Sequence, residues 1–89
     1  MTKEEIVVAT NRVFAGLFEI PEEKLVPQAK IFEELGLDSL DTVDLIVALQ
    51  KQFKVHIRED ERVRSIRTLE DVYQFILTLE REQQTPRPA

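Results

Sequence analysis

Three stretches of this sequence join a helix-capping signal to apolar residues at helical spacing, and this combination constrains the fold more than any other feature. In each stretch a threonine or aspartate stands three positions before an acidic residue, so the two side chains can cap the first turn of a helix. Apolar residues then recur at intervals typical of one helical face. The pairs are Thr2 with Glu5, Asp38 with Asp41, and Thr68 with Asp71. They predict three helices, over about 3–17, 39–53 and 69–82.

The apolar residues of each predicted helix indicate which face is buried. On the first helix they are Ile6, Val7, Val13, Phe14 and Leu17; on the second, Leu45, Ile46, Leu49 and Phe53; on the last, Leu69, Val72, Tyr73, Ile76 and Leu79. The second helix also carries a separate stripe beside acidic residues, formed by Leu40, Val43 and Val47. This stripe is either more core or an exposed apolar patch.

The connections between the helices are also rich in apolar residues. Residues 18–37 contain two prolines, which exclude one continuous helix, and too many apolar side chains for a free linker. We expect a packed loop with helical turns at 21–24 and 31–35. Residues 55–57 are expected to be extended loop, and 59–63 a short helix packed through Val63 and Ile66. The predicted fold is an all-α four-helix bundle, with three longer helices, one short helix and a long packed loop between the first two.

The length of 89 residues allows one small domain, which we place at residues 1–82. Residues 83–89 lack an apolar anchor and are expected to form a disordered tail. The chain has no cysteine, and no apolar run approaches the roughly 18 residues of a membrane span. Its first residues are charged where a signal peptide is apolar. We expect a cytoplasmic monomer.

Few residues are suited to catalysis or metal binding. The single histidine, His56, has no cysteine or nucleophile motif near it and is expected to be exposed. Asp38, Asp41 and Asp44 do not alternate as calcium ligands do. Residues 1–50 carry 10 acidic and 4 basic side chains, which disfavours nucleic-acid binding and favours partners with basic patches. We predict no catalytic residue, no metal site and no nucleic-acid partner.

Ser39 is the residue most suited to carry chemistry. Gly36 can adopt the positive φ that closes a turn, and Asp38 can cap a helix that begins at Ser39. At that position the hydroxyl lies beside free backbone N–H groups and the positive end of the helix dipole, which favour a phosphate. By itself, this position is more typical of an unmodified serine at a helix start.

The run from Gly36 to Leu45, followed by Ala48, Leu49 and Phe53, resembles the prosthetic-group site of the acyl carrier proteins. The resemblance extends over about residues 2–79. In that family the serine of an Asp-Ser-Leu motif carries 4′-phosphopantetheine, whose thiol holds an acyl chain as a thioester. The resemblance implies that Ser39 is the attachment site, with Asp38 and Leu40 beside it. It also implies a partner-binding surface made of Asp38, Leu40, Asp41, Val43, Asp44 and Val47.

The function implied by the resemblance is that of a freestanding carrier in fatty-acid, polyketide or related lipid biosynthesis. Its implied partners are a phosphopantetheinyl transferase, acyl-transferring and chain-elongating enzymes with basic docking patches, and acyl chains held in the bundle core. The long loop would close one side of the acyl cavity. Peptidyl and D-alanyl carriers share the serine motif, although the flanking acids resemble the fatty-acid and polyketide types more. The alternative function is a non-carrier acidic helical adaptor that binds proteins through the second helix.

The sequence departs from the family pattern after Asp44, because basic residues replace the expected acids. They are Lys51, Lys54, His56, Arg58, Arg62, Arg64 and Arg67. One interpretation is neutral surface drift, with several arginines paired to Glu59, Asp60 and Glu61. The other is a specialised carrier whose partners present acidic groups to this region, which would reject the enzymes of a general pathway by like-charge repulsion.

Overall fold

The computed structural model describes residues 2–57 and 61–84. Three α-helices dominate this part of the chain: α1 (Lys3–Phe18), α2 (Ser39–Phe53) and α3 (Leu69–Gln84). Two 3-10 helices, Glu22–Lys24 and Glu61–Ser65, lie in the connections. No β-strand occurs within the described ranges, where residues 55–57 form a loop without regular secondary structure and Lys30 and Thr68 form an isolated bridge. The all-α prediction of three longer helices, one short helix and a long first connection is confirmed.

Reciprocal capping starts each α-helix where the sequence predicts it. The Thr2 hydroxyl accepts a hydrogen bond from the Glu5 amide at 3.2 Å, and the Glu5 carboxylate accepts one from the Thr2 amide at 2.9 Å. At the start of α3, Asp71 accepts bonds from the amides of Arg67 and Thr68, at 2.9 and 3.1 Å. The bond from the Arg67 amide is the main cause that lowers the pKa of Asp71 below its usual value. These contacts tie each helix start to the chain just before it.

The core forms between the inward faces of the three helices and the first connection. The buried side chains of the first connection are Ile20, Leu25, Ala29, Ile31 and Leu37, which confirms that this loop is packed. On α1, the buried residues are Ile6, Thr10 and Phe14. Leu17 is 46% exposed, so the prediction that it belongs to the buried face is wrong. The buried face repeats every four residues, and Leu17 falls outside that repeat because α1 is covered along a narrow stripe.

The last helix is longer than the apolar pattern predicts. It continues to Gln84, so Gln83 and Gln84 belong to α3 rather than to a disordered tail. The reason is a long-range contact: the Gln83 side-chain amide donates to the His56 carbonyl and accepts from the His56 amide, both at 2.8 Å. Residues 85–89 of the predicted tail, and 59–60 of the predicted short helix, lie outside the described residues.

The helices pack so that α1 contacts both α2 and α3. In the connection between α2 and α3, Val55 and Ile57 are buried. Its end is joined to the first connection by backbone hydrogen bonds, from the Ile31 amide to the Arg67 carbonyl at 2.9 Å and from the Leu69 amide to the Ala29 carbonyl at 3.1 Å. The two connections therefore form a continuous wall across the bundle.

Candidate functional site

Ser39 is exposed and is the first residue of α2. The Asp38 Oδ1 atom accepts hydrogen bonds from the amides of Leu40 and Asp41, both at 2.9 Å, and the Asp41 carboxylate accepts one from the Asp38 amide at 3.1 Å. The Thr42 hydroxyl donates to the Asp38 carbonyl at 3.1 Å. This capping box confirms the predicted start of α2 and holds the backbone on both sides of Ser39.

The loop before Ser39 is anchored immediately next to the site. Gly36 has φ +77°, the left-handed conformation predicted for it, and lets the chain reverse direction. Leu37 is buried, and its amide donates to the Ile31 carbonyl at 3.3 Å. One buried residue and one cap therefore bracket a serine that faces solvent.

Next to Ser39, α2 presents an apolar stripe to solvent. Leu40 is 77% exposed, Val43 58% and Val47 43%. Asp38 and Asp44 are exposed beside this stripe, and Asp41 is half-buried by its capping contacts. The interpretation of the stripe as further core is thus wrong. Of the six predicted surface residues, Asp38 is the N-cap of α2 and the other five lie within the helix, between Leu40 and Val47.

A cavity of about 40 Å³ begins one helical turn beyond Ser39. Its lining comes from the first connection (Ile31, Phe32), α2 (Thr42, Leu45, Ile46, Leu49), the second connection (Ile57, Val63, Ile66) and α3 (Val72, Phe75). Phe32 is 44% exposed, so the cavity lies close to the surface there. Most of these residues were predicted to be core from their apolar spacing, whereas Thr42 was not predicted to line a cavity. The available signal was the position of Thr42, three residues before Leu45 and seven before Leu49 on the same helical face.

The basic residues at the end of α2 and after it divide into two groups. Arg62 forms a bidentate ion pair with Glu82, and the Arg67 guanidinium donates to the Arg64 carbonyl at 2.7 Å. These contacts were not predicted, because their partners are not the acids close in sequence. Lys51, Lys54 and His56 are exposed and line a shallow groove with Ile46, Val47, Gln50 and Val55. Arg58 lies outside the described residues.

The described residues contain no group of three or more His, Cys, Asp or Glu side chains placed to hold a metal ion. Within the same ranges, no helix is long and apolar enough to cross a membrane.

The residues at the start of α2 fit a covalently attached phosphodiester. The Asp38 carboxylate is bound to the amides of Leu40 and Asp41 and does not cover Ser39. The exposed Ser39 side chain leaves room for a phosphate, and the start of a helix favours negative charge. A flexible arm from this position has the apolar stripe on one side and the cavity one turn away.

Comparison with known proteins places these features in a family. Residues 12–76, which include Ser39 and the cavity, match the family described as "Phosphopantetheine attachment site". The chain is 40% identical over 76 residues to an acyl carrier protein of Thermosynechococcus vestitus, covering 85% of this chain and 93% of that relative. It is 38% identical over 79 residues to acyl carrier protein 2 of Ralstonia nicotianae, covering 89% and 96%. The chain therefore belongs to the acyl carrier protein family, whose members bear phosphopantetheine as a covalent prosthetic group and carry acyl groups rather than catalyse reactions.

Proposed function

We propose that the attachment site of the prosthetic group is the Ser39 hydroxyl and that acyl intermediates of lipid biosynthesis are carried there as thioesters. The observation that supports this most directly is the exposed position of Ser39 at the capped start of α2, inside the matched family region. The chain contains one other serine, Ser65, which is the last residue of the 3-10 helix Glu61–Ser65 and not at a helix start. The thiol of the attached group supplies the bond to the acyl chain.

The residues around Ser39 have a positioning role in this proposal. The Asp38 cap and the buried Leu37 hold the backbone, so the Ser39 hydroxyl is presented to a transferase in one orientation. In the attachment step the Ser39 oxygen forms a bond to phosphorus, and the phosphoanhydride bond of the phosphopantetheine donor breaks. The hydroxyl proton passes to the transferase or to solvent. Leu40, which is largely exposed, then lies beside the arm.

The proposed partner surface consists of Asp38, Leu40, Asp41, Val43, Asp44 and Val47. Its exposed apolar stripe can be buried against a partner, while its carboxylates favour partners with lysine and arginine near their entrances. The proposed partners are the phosphopantetheinyl transferase and enzymes that transfer or elongate acyl chains. Farther along α2, the groove formed by Lys51, Lys54 and His56 has the opposite charge, which supports partners that present acids there.

The cavity supports a role for the bundle in burying part of the acyl chain away from water. Its volume of about 40 Å³ has room for only about three water-sized groups, so a longer chain must separate the walls. Burial of each methylene stabilises the loaded state by about 0.8 kcal/mol. A few methylenes therefore contribute about 2 kcal/mol, which is large against the stability of a small domain.

Intact-mass measurement after co-expression with a phosphopantetheinyl transferase tests the proposal. The expected result is the added mass of one phosphopantetheine on the wild type and on Ser65→Ala, and no addition on Ser39→Ala. Ser65→Ala is the matched control because it removes the other serine hydroxyl of the chain. Addition to Ser39→Ala, or none to the wild type, would contradict the proposal. The second outcome would favour the adaptor function, for which the comparisons give no support.

The cytoplasmic location and the pathway also belong to the proposal. Cell fractionation tests the first. Acyl loading in cell extracts, read by the mass of the thioester, tests whether fatty-acid or polyketide intermediates are the cargo.

A further inference from the structure

Arg62, Phe75 and Glu82 form a side-chain cluster on the outer surface of the bundle, which we call the clasp. The Arg62 Nη1 and Nη2 atoms donate to the two carboxylate oxygens of Glu82, at 3.0 and 2.9 Å. The Arg62 guanidinium carbon also lies 5.6 Å from the centroid of the Phe75 ring. Bidentate pairing and stacking on an aromatic ring are the arrangements in which arginine holds a fixed geometry best. The clasp therefore joins the 3-10 helix Glu61–Ser65 to α3.

The clasp stands directly behind one wall of the cavity. Phe75 of α3 and Ile66 of the second connection line the cavity, and the same two residues line a groove of about 200 Å³ on the outer surface. Arg62 belongs to that outer groove. The side chains of Phe75 and Ile66 thus separate a small inner space from a larger outer one.

The two ends of this wall are fastened differently. At the C-terminal end of the 3-10 helix, backbone hydrogen bonds fix the chain, because the Arg67 carbonyl accepts from Ile31 and the Arg67 amide donates to Asp71. Nearer its N-terminal end, the clasp supplies a side-chain attachment to α3. Val63, next to Arg62, lines the cavity. Outward movement of Val63 and Phe75 therefore requires the clasp to loosen.

We propose that Arg62 is a positioning residue that limits how far the cavity expands, so that the closed clasp favours short acyl chains. This inference rests on the proposed function of Ser39. A chain longer than the cavity of about 40 Å³ must displace Phe75 or Val63, and once they move, the inner space joins the groove of about 200 Å³. Loss of the clasp makes that movement easier and extends the chain length that the bundle shelters.

The experiment attaches acyl-phosphopantetheine at Ser39, with saturated acyl groups from butyryl to palmitoyl on its thiol, and measures thioester cleavage by hydroxylamine. Mass spectrometry first verifies loading. The variants are Arg62→Gln, Glu82→Gln and the control Arg64→Gln, which makes the same charge change within the same 3-10 helix. In the wild type, the protection of the thioester from hydroxylamine should stop increasing at a short chain length. In Arg62→Gln and Glu82→Gln the protection should keep increasing up to longer chains. The long thioesters should then be cleaved about 5-fold more slowly than in the wild type.

Two further measurements separate the proposed role from a general loss of stability. The exchanged pair Arg62→Glu/Glu82→Arg restores the ion pair but not the stacking on Phe75, so it should return the length profile part of the way to the wild type. High salt should shift the wild type toward the Arg62→Gln profile. A length profile equal in the wild type and Arg62→Gln, or a change of equal size at every chain length, would overturn the inference and leave the proposed function intact. Failure to load Ser39 would overturn the proposed function and the inference together.

Discussion

Removal of the Asp38 cap tests whether the geometry before Ser39 serves modification as well as stability. In Asp38→Ala the amides of Leu40 and Asp41 lose their acceptor, while the rest of α2 is unchanged. Both bonds are exposed, so water replaces the carboxylate and the cost stays near the middle of the range for caps, about 1 kcal/mol. For a domain of this size, that loss lowers the melting temperature by about 4–8 °C.

The rate of modification should fall more than stability alone explains. The Asp38 cap holds the backbone at Ser39, and a loss of about 1 kcal/mol in that local order corresponds to a roughly fivefold lower rate of phosphopantetheine attachment. Thr2→Ala is the matched control, because it removes the cap of another α-helix far along the chain from Ser39. It should destabilise the protein by a similar amount and leave the attachment rate unchanged. Asp38→Asn retains an acceptor oxygen and should lie close to the wild type.

Thermal melts and a time course of intact mass, recorded well below the melting temperature, measure the two effects. Equal attachment rates in Asp38→Ala and Thr2→Ala would refute a role for the cap in presenting Ser39. An unchanged melting temperature in Asp38→Ala would refute the assigned contribution of the two hydrogen bonds.

Three other predictions concern the core, the start of α3 and the basic groove. The Thr10 hydroxyl is fully buried and has no hydrogen-bond partner among the described residues, so Thr10→Val should raise stability by about 1 kcal/mol in chemical denaturation; a loss would show that the hydroxyl is satisfied. The pKa of Asp71 is lowered, so the stability that this carboxylate contributes is present above its unfolded pKa and is lost as pH falls through the folded value. Melts of Asp71→Asn from neutral to acid pH should therefore show a weaker pH dependence than the wild type, and equal slopes would contradict this. Lys51→Glu/Lys54→Glu should speed acyl transfer by generic fatty-acid enzymes and slow it with the native partner, with a smaller contrast at high salt; equal rates would leave both as ordinary surface residues.

The local signals in the sequence were sufficient to predict the helices and the position of Ser39. Capping at Thr2, Asp38 and Thr68 depends on residues three positions apart, so it can be read without knowledge of the rest of the fold. The same holds for Gly36, whose positive φ closes the turn before the site. The assignment of Ser39 to a prosthetic group needed more, because an exposed serine at a helix start has no chemistry of its own.

Features that depend on distant residues could not be predicted. The continuation of α3 through Gln83 accompanies a contact of Gln83 with His56, which are 27 positions apart. The ion pair of Arg62 with Glu82 spans 20 positions, whereas the sequence pointed to acids next to Arg62. The exposure of Leu17 reflects how narrowly α1 is covered, which apolar spacing alone does not indicate.

The central position of α1 has a consequence for how unfolding and acyl exchange are related. Its buried residues Ile6 and Phe14 have no exposed surface, and the cavity is lined by other elements of the protein. The side chains that line the cavity can therefore move apart while α1 keeps its contacts with α2 and α3. Amide hydrogen exchange in α1 should then require global unfolding, whereas exchange around Val63 should follow smaller openings. Entry and departure of cargo would be a local fluctuation of the native state, and the protein can pass through many rounds of loading without crossing its unfolding barrier.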